Sequence, residues 1–218
     1  MAVAQKSKAV KKKIKSDVAL DILLKAYKLM STSKRMAELY DENRDVCRYV
    51  HSTSRGHEAI QLAAGMQLSP VDYASLYYRD ESLLLAIGLE PYELMLQLIA
   101  KRDDPFTGGR SYYGHPALRR EGFPTIPHQS AATGMQAIPA TGMAQGISYQ
   151  EGRGLLKTGS DLRPIVLCSM GDGAVTEGEV SEAFQMAVLK RLPILYLIQD
   201  NDWVMSATGK EMWAMDAY

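Results

Sequence analysis

Two stretches late in the chain are nearly continuous in Val, Ile and Leu: "RPIVLCSM", which runs into Gly171-Asp172-Gly173, and "LPILYLIQ", which runs into Asp200-Asn201-Asp202. Short apolar runs bounded by turn residues read as strands buried on both faces, the signature of a parallel sheet. The segment between them, about 176–190, has helical spacing and predicts a crossover of strong right-handed preference. Upstream, Leu20, Leu23, Leu24, Tyr27 and Met30 recur at helical spacing, predicting one or two amphipathic helices capped by Ser16, with Asp17 in the first turn. Their apolar face reads as core or interface. A helix over "EAIQLAAGMQL" is stopped by Ser69-Pro70, "DYASLYYRD" follows as a short extended piece, and two further helices cover about 81–102. Residues 103–128 read as a long loop, and "SAATGMQAIPATGMAQGISYQEG" as a helix small enough on its surface to pack against a neighbouring backbone.

With 218 residues the chain holds one sizeable domain, or one plus an arm. The boundaries read as a basic, disordered tail over 1–15 with six lysines, a helical arm over 16–50, and a domain over 51–218. Lys plus Arg and Asp plus Glu are 25 each, so no charge excess points to nucleic acid or an anionic membrane surface. Cys47 and Cys168 are too few for a disulfide framework and lack metal-type spacing. No apolar run reaches the ~20 residues of a membrane span and no signal-peptide core follows the N-terminus, so a cytoplasmic location is expected.

The strand pattern changes the meaning of the two acidic clusters. Ligands of open parallel sheets sit beyond the carboxyl ends of the strands, which is where both clusters fall. Gly171 and Gly173 permit a tight turn, and the residues from Gly173 onward are expected to present a helix N-terminus to an anion such as diphosphate. Asp172 and Asn201 supply oxygen ligands for a hard divalent cation, which takes its other ligands from phosphate and water. A dinucleotide fingerprint fits poorly, because the third glycine falls at Gly178, and no Walker-type Gly-Lys-Ser/Thr occurs.

Four stretches between about 20 and 218 resemble the alpha-subunit part of the decarboxylating component of 2-oxo acid dehydrogenase complexes, a thiamine diphosphate-dependent family. They are "SRGHEAIQLAAGMQLSPVDY", "YYRDE", "GGRSYYGH" continuing in "PHQSAATGMQAIPATGMA", and "GDGAVTEGEVSEAFQMA" with "LPILYLIQDND". The resemblance implies an α/β fold, a doubly wound parallel sheet with flanking helices, here its diphosphate-binding half and incomplete at the C-terminus. It implies Asp172, Asn201 and the carbonyl of Trp203 as Mg2+ ligands, and Tyr78 and Arg79 as diphosphate ligands, Arg offering a bidentate fork. Gly171, Gly173 and Ala174 would contribute backbone to the cofactor, and Ala131 and Thr133 would meet it near its pyrimidine. His115 and His128 would serve as catalytic histidines.

Two positions depart from the family pattern. Gln199 stands where relatives often carry an Arg against the diphosphate, which implies differently balanced binding there. Met135 stands where some relatives hold potassium through a Thr hydroxyl, so no potassium site is expected. The implied activity is oxidative decarboxylation of a small 2-oxo acid, branched-chain or pyruvate, with acyl transfer to the lipoyl domain of the acyltransferase component. The pyrimidine-binding half resembles no stretch of this chain and would come from a beta-type subunit or a fused second domain, so these residues alone are expected to be inactive. A transketolase-like enzyme and a non-catalytic assembly remnant are the alternative readings.

Overall fold

The computed structural model describes residues 17–49, 53–157 and 162–214. Its order is α1 (Leu20–Glu42), α2 (Glu58–Gly65), β1 (Tyr73–Ser75), α3 (Glu81–Ala86), α4 (Pro91–Leu98), α5 (Ala137–Gly152), β2 (Val166–Gly171), α6 (Gly178–Lys190) and β3 (Ile194–Gln199). A short hairpin, β4 (Trp203–Val204) and β5 (Ala207–Thr208), leads into α7 (Gly209–Met212). The basic tail, Ser16 and His51 lie outside the described residues.

β1, β2 and β3 form a parallel sheet in that order, with β2 central. The continuous hydrophobicity of β2 is explained by alternation between two cores. Val166, Cys168 and Met170 pack with Ala140, Ala144, Val180 and Ala183 of α5 and α6, whereas Leu167 joins Leu76, Leu83, Leu94 and Leu98 on the opposite face. Helices therefore cover both faces, as a doubly wound sheet requires. The small residues of α5 let it lie close on the strands, with Ala137, Ala140 and Ala144 fully buried. β3 is an edge among the described residues and leaves Leu195 half exposed.

The helical reading of the N-terminal arm holds, but its start and its buried face differ. α1 begins at Leu20 with Ala19 at the cap position and no side-chain cap. Its first half leaves Leu20, Leu24 and Tyr27 exposed, and its second half buries Ser33, Met36, Ala37 and Tyr40. That second half docks on the buried carboxylate of Glu81, which accepts hydrogen bonds from Ser33 Oγ (3.4 Å), Tyr40 Oη (2.7 Å) and the hydroxyl of Tyr113. Burial raises the Glu81 pKa and these three donors oppose the rise. Residues 103–128 contain no helix or strand; the loop is tied to the sheet where Ala74 N donates to Thr125 O (3.0 Å) and Thr125 N to Asp72 O (2.9 Å).

A third difference lies after β2. The chain does not pass from Gly173 directly into an α-helix: Asp172–Thr176 forms a 3-10 turn, and α6 starts only at Gly178. Glu177 is extended (φ −72°, ψ 139°) and breaks the two helical pieces. The amides near Asp172 therefore belong to a tight turn and not to the α-helix terminus.

Candidate functional site

The pairing of β2 with β3 places Gly171 opposite Gln199, so both acidic clusters leave the sheet side by side. β1 pairs with β2 as far as Ser75–Cys168, and the residues after it, Leu76 to Asp80, emerge at the same end. A crevice opens there. Its walls are Tyr77, Tyr78 and Arg79 after β1, Gly171 to Ala174 after β2, Asn201 and Trp203 to Met205 after β3, and His115 and the 131–136 segment beside them. Eleven of the expected site residues (Tyr78, Arg79, His115, Ala131, Thr133, Gly171, Asp172, Gly173, Ala174, Asn201 and Trp203) line this one crevice.

Asp172 is 2% exposed, and its Oδ2 has no hydrogen-bond partner. Burial first, and the neighbouring charge of Asp200 second, raise its pKa; the amides of Asp172, Asn201 and Gly173 pull the other way. A buried carboxylate oxygen without a partner costs stability unless something positive or hydrogen-bonding arrives. Asn201 accepts from the amide of Trp203 through Oδ1 (3.0 Å), forming the local turn that leads into the hairpin. Asp202 in that turn and Met205 between β4 and β5 adopt left-handed backbone (φ 60° and 51°), an unfavourable conformation for residues with a Cβ. Among the described residues no three His, Cys, Asp or Glu side chains gather as a metal cluster. One carboxylate and one amide cannot complete an octahedral shell, so a divalent cation here needs oxygens from an anion and from water.

Close backbone approach shapes both sides of the crevice. Gly173 lies under Val204 so tightly that a Cβ would collide with the valine side chain, and only glycine allows the hairpin to cover the turn. Gly114, with φ of 74°, abuts the backbone of Tyr78, where an added Cβ would stand 2.6 Å from its Cα. That contact brings the loop carrying His115 alongside the segment after β1, and both line the crevice. His115 is buried and its Nδ1 lies 3.0 Å from the carbonyl of Tyr113. That nitrogen carries the proton, leaving Nε2 as the acceptor. Burial lowers the His115 pKa, the Tyr113 carbonyl opposes the shift, and the nearby charge of His128 adds to it. The guanidinium of Arg79 sits 5.5 Å from the centre of the Tyr78 ring.

Two expected site residues lie elsewhere. His128 is exposed and does not line the crevice. Gln199 is turned beneath the crevice, 2% exposed, in a fully buried polar floor. Its Nε2 donates to Asp80 Oδ1 (2.5 Å) and lies 2.8 Å from Ser169 Oγ, and its Oε1 accepts from Gln61 Nε2 (2.7 Å). Gln61 Nε2 and Ser54 Oγ also donate to the Arg79 carbonyl, each at 2.9 Å. Asp80, completely buried, accepts further from Ser169 Oγ (3.0 Å) and the Tyr77 amide (3.0 Å); burial pushes its pKa up to about 7 against these donors. Position 199 therefore braces the Arg79 backbone from below. Sequence reasoning also missed Tyr77, Gln136 and Val204. Period-two alternation could have found Tyr77, because Tyr73, Ser75 and Tyr77 share one side of the extended segment.

Comparison with known proteins identifies the family. The chain matches the family described as "Dehydrogenase E1 component" over residues 28–218. It is 30% identical over 153 residues to the 2-oxoisovalerate dehydrogenase subunit alpha of Bacillus subtilis, covering 70% of this chain and 42% of that protein. It is 28% identical over 194 residues to the mitochondrial 2-oxoisovalerate dehydrogenase subunit alpha of Caenorhabditis elegans, covering 88% and 42%. The pyruvate dehydrogenase E1 component subunit alpha of Porphyra purpurea is 29% identical over 161 residues, covering 69% and 42%. The chain thus spans about two fifths of the length of these relatives.

Proposed function

Because the chain belongs to the dehydrogenase E1 component family, which is thiamine diphosphate-dependent, we propose that its crevice holds Mg2+ and the diphosphate of that cofactor in an alpha-type part of a 2-oxo acid dehydrogenase. The observation that carries this reading is the buried, partnerless Oδ2 of Asp172 in a crevice whose walls include Tyr78, Arg79 and Asn201. A cation paired with a polyanion satisfies that oxygen and the guanidinium together.

In this reading Asp172, the Asn201 side chain and the Trp203 carbonyl hold Mg2+. Tyr78 and Arg79 hold diphosphate oxygens, and the amides of Gly173 and Ala174 add donors at the turn. Ala131 and Thr133 lie towards the pyrimidine through their main chain. The bound cofactor supplies the carbon nucleophile and electron sink that decarboxylation of a 2-oxo acid requires. His115, neutral and protonated on Nδ1, offers Nε2 to accept a proton or a donor from substrate. The substrate is a small 2-oxo acid, branched-chain or pyruvate, and the acyl group passes to a lipoyl domain of an acyltransferase component. A beta-type subunit or fused domain completes the pyrimidine side.

Calorimetric titration of thiamine diphosphate in the presence of Mg2+ tests the reading. The protein should bind, and Asp172→Ala should weaken binding by about 100-fold or more, since even indirect partners of a metal site are worth ~10–100-fold. Undiminished binding in the variant, or none in the wild type, overturns it.

A further inference from the structure

We propose that the hydroxyl of Tyr77 is a further direct ligand of the diphosphate, donating to one of its oxygens; the proposal rests on the cofactor reading above. Tyr77 lines the crevice but is only 5% exposed, and its hydroxyl has no hydrogen-bond partner. Tyrosine is normally retained in a buried position when its O–H finds an acceptor. The two other buried tyrosines among the described residues show the rule: Tyr40 and Tyr113 both donate to Glu81. The oxygen of Tyr77 instead points past Gly171, 3.8 Å from where a Cβ on that glycine would stand. Gly171 is the residue from which the Asp172 turn departs.

The surroundings decide what the hydroxyl can serve. Its ring is held from one side by Tyr78 (centroids 4.9 Å apart), and its backbone amide by Asp80 Oδ2 (3.0 Å), so the side chain is not free to seek water. Burial and the nearby carboxylates of Asp80 and Asp172 raise its pKa, which keeps the proton on the oxygen and makes it a permanent neutral donor. Arg79 is the one Lys or Arg side chain among the residues lining the crevice. A magnesium diphosphate carries many more acceptor oxygens than one guanidinium can satisfy. A fixed neutral donor beside Asp172 meets that demand without adding a charge that would compete with the cation for the carboxylate. Packing alone would be served as well by phenylalanine.

The test compares wild type with Tyr77→Phe by calorimetry, using thiamine diphosphate with Mg2+, inorganic pyrophosphate with Mg2+, and thiamine alone. The expected result is a loss of about tenfold or more for both phosphate-bearing ligands, the span of one hydrogen bond to a charged group. Stability without ligand, followed by denaturant unfolding, should be equal or slightly greater, which separates lost contact from lost fold. Equal affinity of variant and wild type for both ligands overturns the proposal while leaving the cofactor reading intact. Weakening confined to thiamine diphosphate, with pyrophosphate unaffected, also overturns it by moving the hydroxyl away from the phosphates. Failure of the wild type to bind either ligand sinks the cofactor reading and this proposal with it.

Discussion

The floor of the crevice is polar and buried, and so are two groups in its walls, the Asp172 carboxylate and the Tyr77 hydroxyl, yet floor and wall are finished differently. In the floor, Asp80, Gln199, Gln61, Ser169 and Ser54 satisfy one another, and the Asp80 carboxylate alone accepts from two side chains and an amide. In the walls, Asp172 Oδ2 and the Tyr77 hydroxyl have no partner. A closed network rigidifies the structure that bears it, whereas unmatched buried groups are a cost that a ligand can relieve. Two carboxylates placed at the same end of one sheet thus differ: Asp80 belongs to the closed network that holds the Arg79 segment, and Asp172, in the function proposed above, is the one that would receive the cation.

The strongest way to break this contrast is to remove each carboxylate in turn. Asp80→Ala strands the donors of Ser169, Gln199 and the Tyr77 amide, and at ~1–3 kcal/mol for each orphaned group the expected loss is about 3–5 kcal/mol in denaturant unfolding. Asp172→Ala should cost less in the same experiment, because one of the two oxygens it deletes has no partner in the free protein, although the amides of Asp172, Asn201 and Gly173 lose their acceptor. Equal destabilisation by the two would show that floor and wall are one structural unit.

A smaller effect separates them by pH. The folded pKa of Asp80 stands at about 7, above the ~3.9 of an unfolded aspartate. The folded state therefore holds a proton that the unfolded chain has released, and stability falls as pH rises between those values. The Asp80 contribution is fully present below about pH 4 and lost above about pH 7, an upper bound of about 4 kcal/mol for a displacement of three units. Glu81 is shifted in the same direction, so the difference between wild type and Asp80→Asn isolates the effect. Unfolding at pH 5 and pH 8 should show wild type losing more stability across the interval than the variant. A parallel loss in both would remove Asp80 as its source.

The same contrast marks what was legible in the sequence. Local rules located the strands, the crossover and the glycine turns, because continuous Val, Ile and Leu and paired glycines carry their meaning within a few residues. The convergence of Asp172 with Asn201 followed from chain direction alone in a parallel sheet. Three features required the packed molecule. Position 199 was read as a wall residue, but its side chain alternates to the underside of β3, where Gln61 and Asp80 receive it; those partners are 138 and 119 residues away in sequence. Glu177 interrupts the helix after the glycine turn, and the Val204 hairpin packs on that turn, a contact between segments about thirty residues apart. The apolar spacing at the start of α1 is helical without being buried, since periodicity reports a face and not what covers it.

The smallest expected effect tests the two loop histidines against each other. His115 and His128 stand 13 residues apart (128 − 115), and the structure buries one in the crevice wall while leaving the other exposed. His128→Ala should therefore change stability by less than ~0.5 kcal/mol, the usual range for a surface substitution away from special features, and leave affinity for Mg2+ and thiamine diphosphate unaltered. It should still be felt at one point. The charge of His128 is among the causes that lower the His115 pKa, so its removal should let the His115 imidazole titrate at slightly higher pH by NMR. Burial, the larger cause, is untouched, and the pKa should stay below the ordinary histidine value. A variant that loses cofactor affinity would instead carry His128 into the site and erase the distinction between the two histidines.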